Sequence, residues 1–352
     1  MRSKKLLFLL LISFLLLITF GCKTTNSNEL VADGIQIEKV SIHTDDQAEY
    51  LSGNYGLALA YANGKQEKSY PKPVHLEWKD EGNNEYTLYL SENSDLSNPM
   101  IYKVNANKID LYNLKLHTTY YYKVDNSEIK GFTLTDEIIR NMYIDGLTNV
   151  RDLGGKKIGD GVYTKQNMII RCSKLTQDET GEVLISQKGI KDLSNVLKVK
   201  TELDLRSTDD NENGGITSSP LGQDVNYISF PMESGGNVIL LNKDVLKDLF
   251  VIFGNNDNYP IIMHCSIGTD RTGAVAFMLN ALLGVSDDDL YYDYLFSNFG
   301  LINGTRTKGI IDTYLKTIND SEGTSTQEKM YNYLISIGVE KQDLDNFINI
   351  CK

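Results

Sequence analysis

Four cysteines, four histidines, one tryptophan and six prolines are all that the 352 residues contain. Each scarcity excludes something. The cysteines (Cys22, Cys172, Cys265 and Cys351) are too sparse for the disulfide framework of a small secreted scaffold. The histidines (His43, His75, His117 and His264) are scattered without ligand spacing, so no metal and no other cofactor is expected. No run of Lys or Arg follows residue 5, and 47 acidic against 35 basic residues give a net charge of −12. General nucleic-acid binding is thereby excluded, because a phosphate backbone needs a clustered basic face. Long apolar runs are absent too, with one exception at the N-terminus.

That exception is the stretch from Leu6 to Phe20, broken only by Ser13 and Thr19 and preceded by Arg2, Lys4 and Lys5. A membrane span needs roughly 20 apolar residues, so this run has the length of a signal-peptide core. Gly21-Cys22 at its end resembles the lipobox of bacterial lipoproteins, although Thr19 and Phe20 stand where that pattern prefers Leu and a small residue. The resemblance implies a signal peptide over residues 1–22, lipid on Cys22, and an exported protein on the outer face of the cytoplasmic membrane or secreted. An uncleaved N-terminal anchor is the alternative.

The remaining length suffices for two domains, each with its own core. After a polar tether over 23–35, residues 36–135 read as β structure: "VHLEW", "EYTLYL", "MIYKV" and "TYYYKV" are short β-branched and aromatic runs separated by Asn, Gly, Asp and Ser. Trp78 in an early run, and Leu114, Thr118 and Tyr120 at the spacing of a tyrosine corner, make the segment similar to a fibronectin type III module. Sandwiches of this type carry many unrelated functions, and this one is expected to be a spacer or substrate-orienting module. From residue 136 to 352 the pattern changes. "TELDLR", "VNYISF" and "YPIIMHC" alternate with helical stretches such as "GAVAFMLNALLGV", the rhythm of an α/β domain with a mostly parallel central sheet flanked by helices.

The chemistry concentrates in "HCSIGTDRTG", residues 264–273. An apolar strand runs into His264 and a helix starts near Thr272, so the loop between crosses a helix N-terminus, where free N–H groups suit a phosphate. Cys265 at the loop's start would feel the helix dipole and the guanidinium of Arg271, both of which favour thiolate. Gly268 lets the backbone approach a ligand or turn through positive φ. The planar fork of Arg271 could grip two phosphate oxygens. The bland alternative is a buried cysteine and an arginine cap on an ordinary turn.

His264, Cys265, Gly268, Arg271, Thr272 and Gly273 together match the signature of the cysteine-dependent phosphatases, His-Cys-x-x-Gly-x-x-Arg-Thr-Gly. "NVRDLGG" (149–155), "MIIRCSKL" (168–175), "LDLRS" (203–207) and "YYDYLFSNFG" (291–300) extend the likeness to the bacterial tyrosine phosphatases of the atypical lipid phosphatase type. That group includes enzymes active on phosphotyrosine and on phosphoinositides. The resemblance implies a cysteinyl-phosphate mechanism in which Cys265 attacks, Arg271 binds the phosphoryl group and Thr272 steadies the departing sulfur. Ser266, Ile267, Gly268, Thr269, Arg271 and Thr272 would form the phosphate cradle.

No Trp-Pro-Asp loop exists here, and by the same resemblance Asp270 is the general acid, with Asp204 as the alternative. His264 would shape the loop. Arg151, Asp152 and Arg206 are expected near the pocket, either in internal salt bridges or on substrate. Relatives commonly have Ser where Cys172 stands, which raises a disulfide with Cys265 against a plain core role. Lys is common where this loop has Thr269, and its loss moves a phosphotyrosine protein ahead of a phosphorylated lipid or inositol as substrate. A non-catalytic phospho-ligand-binding lipoprotein is the rival from another class.

Overall fold

The computed structural model describes residues 29–32, 34–60, 68–136, 138–209, 211–300 and 304–352. The signal peptide, Cys22 and most of the tether lie outside the described residues. The chain begins with strands β1 (Glu29–Ala32), β2 (Ile35–Val40), β3 (Val74–Glu77), β4 (Tyr86–Ser91), β5 (Met100–Val104), β6 (Lys108–Leu111), β7 (Thr119–Val124) and β8 (Lys130–Leu134). One sheet runs β1-β2-β8-β7-β4-β5, and β3 pairs with β6 in a second. Alternate residues are buried along β3 and through most of β4. Val74, Leu76, Leu88, Leu90, Tyr120 and Phe132 form the core between the sheets. Trp78 sits just past the end of β3 and packs on this core edge-on to Tyr86. The Tyr120 hydroxyl accepts the Lys115 N–H at 2.9 Å, the tie expected of a tyrosine corner.

Within the span read as β, residues 45–59 are helical instead. Helix α1 (Asp45–Leu51) opens with a capping box in which Thr44 and Gln47 satisfy each other's backbone N–H groups, and α2 (Tyr55–Leu59) follows at once. That Thr-x-x-Gln signal is visible in the sequence. The buried ring of Tyr50 on α1 contacts Tyr292, Phe296 and Phe299 edge-on, so this insertion packs on the second half of the chain. Residues 114–117 dock there too. Leu116 N–H donates to Gln166 Oε1 at 2.7 Å, and His117 stacks on Tyr163 at 3.9 Å.

The second half holds a six-stranded sheet of β9 (Arg140–Asn141), β10 (Arg151–Asp152), β13 (Ile169–Cys172), β14 (Thr201–Asp204), β15 (Asn226–Ser229) and β16 (Ile261–His264), plus a hairpin of β11 (Lys157–Gly159) and β12 (Val162–Tyr163). The order is β15-β14-β16-β13-β10-β9. The first four strands are parallel, and β10 and β9 continue antiparallel at the edge. This is an α/β domain preceded by a small β-sandwich, as the periodicities predict. Central strands of such a sheet are buried on both faces. Ile261 and Met263 accordingly enter one core and Ile262 the other.

Helix α3 (Gln187–Lys191) lies between β13 and β14, followed by α4 (Val238–Leu241), α5 (Leu246–Gly254), α6 (Arg271–Leu283), α7 (Asp287–Leu295), α8 (Lys308–Ile318), α9 (Thr326–Ser336) and α10 (Lys341–Cys351). Every residue of α6 is buried, because neighbouring helices cover the side turned away from the sheet. Among the described residues no helix is long and apolar enough to cross a membrane.

Replacing Tyr120 by Phe should leave the Lys115 N–H without its acceptor and cost about 1–3 kcal/mol. Urea unfolding followed by tyrosine and tryptophan fluorescence should show an earlier transition for the sandwich.

Candidate active site

Strand β16 sits at the centre of the parallel strands, and Cys172 of β13 and Asp204 of β14 lie in register with His264 on either side. Cys265 therefore emerges at the carboxyl end of the sheet, where open α/β sheets place their ligands. The loop from 265 to 270 then turns sharply. Gly268 takes φ +70°, and a β-carbon there would collide with the Cys172 carbonyl oxygen, so only glycine fits.

The loop's carbonyls are drawn outward. Ser266 O accepts Lys174 N–H at 3.1 Å, Ile267 O and Gly268 O each accept Asn149 Nδ2 at 3.2 Å, and Gly268 O accepts Arg171 Nη2 at 2.7 Å. The opposite face is left to donors. The N–H groups of Ser266, Ile267, Thr269, Asp270 and Arg271 have no acceptor among the described residues. Successive unclaimed amides at a helix N-terminus form an anion cradle.

Beneath the loop lies a buried charge cluster. Asp293 on α7 accepts Arg171 Nη1 at 2.7 Å, with Lys156 Nζ at 3.4 Å and Arg151 Nε at 3.5 Å. Burial opposes ionisation of Asp293, but the three cations hold its carboxyl far below the usual range. Burial, with Arg171 close by, pulls Arg151 down to about 9. Arg151 also bonds Asn149 Oδ1, the side chain that carries the loop carbonyls. Arg151 thus acts inside the protein, one step beneath the cradle.

Cys265 is 2% exposed at the cradle floor. Burial favours its thiol, yet Arg271, the Thr272 hydroxyl and the Thr272 and Gly268 N–H groups outweigh it and lower the pKa. The Thr272 hydroxyl finds no oxygen or nitrogen partner of its own. Arg271 forks onto Glu212, Nη1 to Oε2 at 2.7 Å and Nη2 to Oε1 at 2.5 Å, and its buried Nε stays unpaired. Glu212 also accepts Ser266 Oγ at 2.9 Å and Ser207 N–H at 2.9 Å. Although burial raises it, these donors hold the Glu212 carboxyl down to about 2. Thr269, fully buried, bonds only the Ile267 carbonyl with its hydroxyl, at 3.4 Å.

Asp270 precedes α6 without capping it. Both of its oxygens are taken by Arg306, Nε and Nη2 each at 2.9 Å. The pair borders an open cleft of about 260 Å³ lined also by Gly235, Gly236, Tyr294 and Tyr314.

The other expected residues serve the frame. His264 is buried between Glu202 (Nε2 at 3.0 Å) and Asp204 (Nδ1 at 3.7 Å); burial lowers its pKa, but the two carboxylates, Asp204 foremost, prevail and raise it. Asp204 is fully buried with both oxygens engaged, Oδ1 by the Arg206 N–H and Nε, and Oδ2 by Arg206 Nη2 and the Tyr227 hydroxyl. Arg206 continues to Asp178 at 3.0 Å. Asp152 is buried and its carboxylate accepts Arg140, Gly154 N–H and Asn167 N–H, an internal set of partners. Cys172 pairs in register with His264 on the strand that leads into Cys265, and both thiols are free.

Glu212, Asn149, Arg171, Asp293 and Arg306 were not singled out from the sequence. Asn149, Arg171 and Asp293 lie inside the recurrent motifs, which was the available signal. Glu212 had only a weak one, an acidic loop after "LDLRS". Arg306 had none.

A tyrosine phosphatase family profile matches residues 142–348. A candidate tyrosine-protein phosphatase of Cupriavidus necator is 23% identical over 184 residues, 45% of this chain; the chain spans 63% of that relative's length. The core catalytic domain of the S. cerevisiae PP-IP phosphatase SIW14, solved with citrate, is 21% identical with a TM-score of 0.30, over 46% of this chain and 85% of that one.

Exchanging Asp293 for Asn would leave buried cations uncompensated, at a cost of about 3–5 kcal/mol in equilibrium unfolding. A depressed carboxyl contributes stability above its unfolded pKa of about 4 and loses it as pH falls toward the folded value. The variant's Tm should therefore depend less on pH in acid than the wild type's.

Proposed function

Because the chain belongs to the tyrosine phosphatase family, we propose that it is an exported, cysteine-dependent phosphomonoesterase acting on phosphotyrosine proteins. The carrying observation is the lowered thiol of Cys265 at the floor of an amide-lined loop, with the unpaired Nε of Arg271 beside it. In the first step the Cys265 sulfur attacks phosphorus while the bond to the leaving oxygen breaks, and that oxygen takes a proton from Asp270. In the second, water attacks the phosphocysteine and gives its proton to Asp270, and the sulfur leaves as thiolate, steadied by the Thr272 hydroxyl. Arg271 and the loop amides bind the equatorial oxygens throughout. Glu212 fixes the guanidinium plane, which supports end-on presentation of Nε. No step needs a metal or an organic cofactor.

Two features support phosphotyrosine over a phosphorylated lipid or inositol. Thr269 brings no cation to the loop, and Glu212 adds a negative charge at its rim. Export and lipid attachment at Cys22 rest on the N-terminal pattern alone.

Purified protein should hydrolyse para-nitrophenyl phosphate, and Cys265→Ser should abolish turnover. Equal inactivity of both would favour the binding-protein reading. Side-by-side kcat/KM on a phosphotyrosine peptide, a phosphoinositide and an inositol polyphosphate should rank the peptide first. Changing Asp270 to Asn should slow esters of weakly acidic phenols about 100-fold or more and good leaving groups far less, since general acid catalysis supplies factors of that order. Uniform slowing would remove Asp270 from the acid role.

A further inference from the structure

The fork of Arg306 on Asp270 poses a chemical problem for the mechanism above. Both oxygens of Asp270 accept a guanidinium N–H, so neither is open to a leaving group. The first step has that same side chain deliver the proton. Asp270 is faced by Arg306 from the segment ahead of α8, by Tyr294 of α7 and by Tyr314 of α8, so Arg306 is the one cation in that set. Across the loop lie Cys265 and Arg271, and Arg271 is already committed to Glu212. Arg306 lies within electrostatic reach of Cys265, and its side chain is 16% exposed on the cleft that adjoins the loop.

We propose that Arg306 is a specificity and positioning residue: at rest it occupies both oxygens of Asp270, and it transfers to an anionic group flanking the scissile phosphoester, freeing Asp270 to reach the leaving-group oxygen. The inference deepens the phosphocysteine reading and rests on it. Exchanging one oxyanion partner of a guanidinium for another costs little, because the bonds broken and made are of the same kind. With Arg306 withdrawn, the oxygens of Asp270 are open to the leaving-group oxygen. A substrate without the second anion leaves the fork in place and the acid engaged. The flanking group is a carboxylate or a second phosphate.

The test compares phenyl phosphate with 3-carboxyphenyl phosphate, whose phenols are of closely matched acidity, in wild type, Arg306→Gln and Arg306→Lys. Wild type should favour the carboxylated ester by about tenfold in kcat/KM, the equivalent of 1.4 kcal/mol. Arg306→Gln should lose that preference. Arg306→Lys should keep part of it, which separates the role from a folding defect. Peptide pairs with Glu or Gln beside phosphotyrosine, and inositol 1-phosphate against the 1,4-bisphosphate, locate the anion; a preference in either pair that Arg306→Gln abolishes supports the proposal. No wild-type preference in any pair, or equal loss on both aryl esters in Arg306→Gln, overturns it. A wild type that cleaves neither aryl ester overturns the phosphocysteine reading and this inference with it.

Discussion

The bond from Arg171 to the Gly268 carbonyl is the contact on which the rest of the site depends. Pulling that carbonyl outward, together with the Asn149 bonds to the same turn, leaves the N–H groups of Ser266, Ile267, Thr269, Asp270 and Arg271 without acceptors among the described residues. Arg171 can do this because Asp293 compensates its charge in an interior where an unpaired cation would be very costly. A backbone shape is thus held by a buried ion cluster. The cluster draws its members from three distant stretches of chain: β10 and the loop after it, β13, and α7.

The same logic repeats above the loop with opposite sign. Two arginines face the cradle region, and each is engaged by a carboxylate, Arg271 by Glu212 and Arg306 by Asp270. Such pairing spares each cation full desolvation and fixes the planar fork, so an incoming oxyanion meets oriented donors rather than a floppy chain. The thiol is poised by the balance of these terms: burial works against ionisation, while Arg271, Thr272 and the Gly268 N–H work for it.

Much of this was legible in the sequence. The alternation of "YPIIMHC" with the helix after it places Cys265 at the end of a buried strand, and Gly268 follows from the turn's geometry. The sandwich strands and the Tyr120 tie were readable from β-branched runs and a spacing. Helices α1 and α2 were not, because a short segment between two β-rich stretches carries too few periodic residues to outvote its surroundings. Arg151 was expected near the pocket, and whether it faced substrate or interior was open; its engagement with Asp293 and Asn149 is interior.

By itself the sequence determined the chemistry on offer: a cysteine, a glycine and an arginine at fixed spacing on a strand-loop-helix frame, since these positions are set by local backbone geometry within ten residues. The tertiary structure alone decided what surrounds them. Glu212 reaches Arg271 across 59 positions and Arg306 reaches Asp270 across 36, and pairings over such separations depend on how the helices and loops pack around the sheet. Charge partners of this kind leave no periodic trace, because any exposed-looking loop residue can become one once the chain is folded around it.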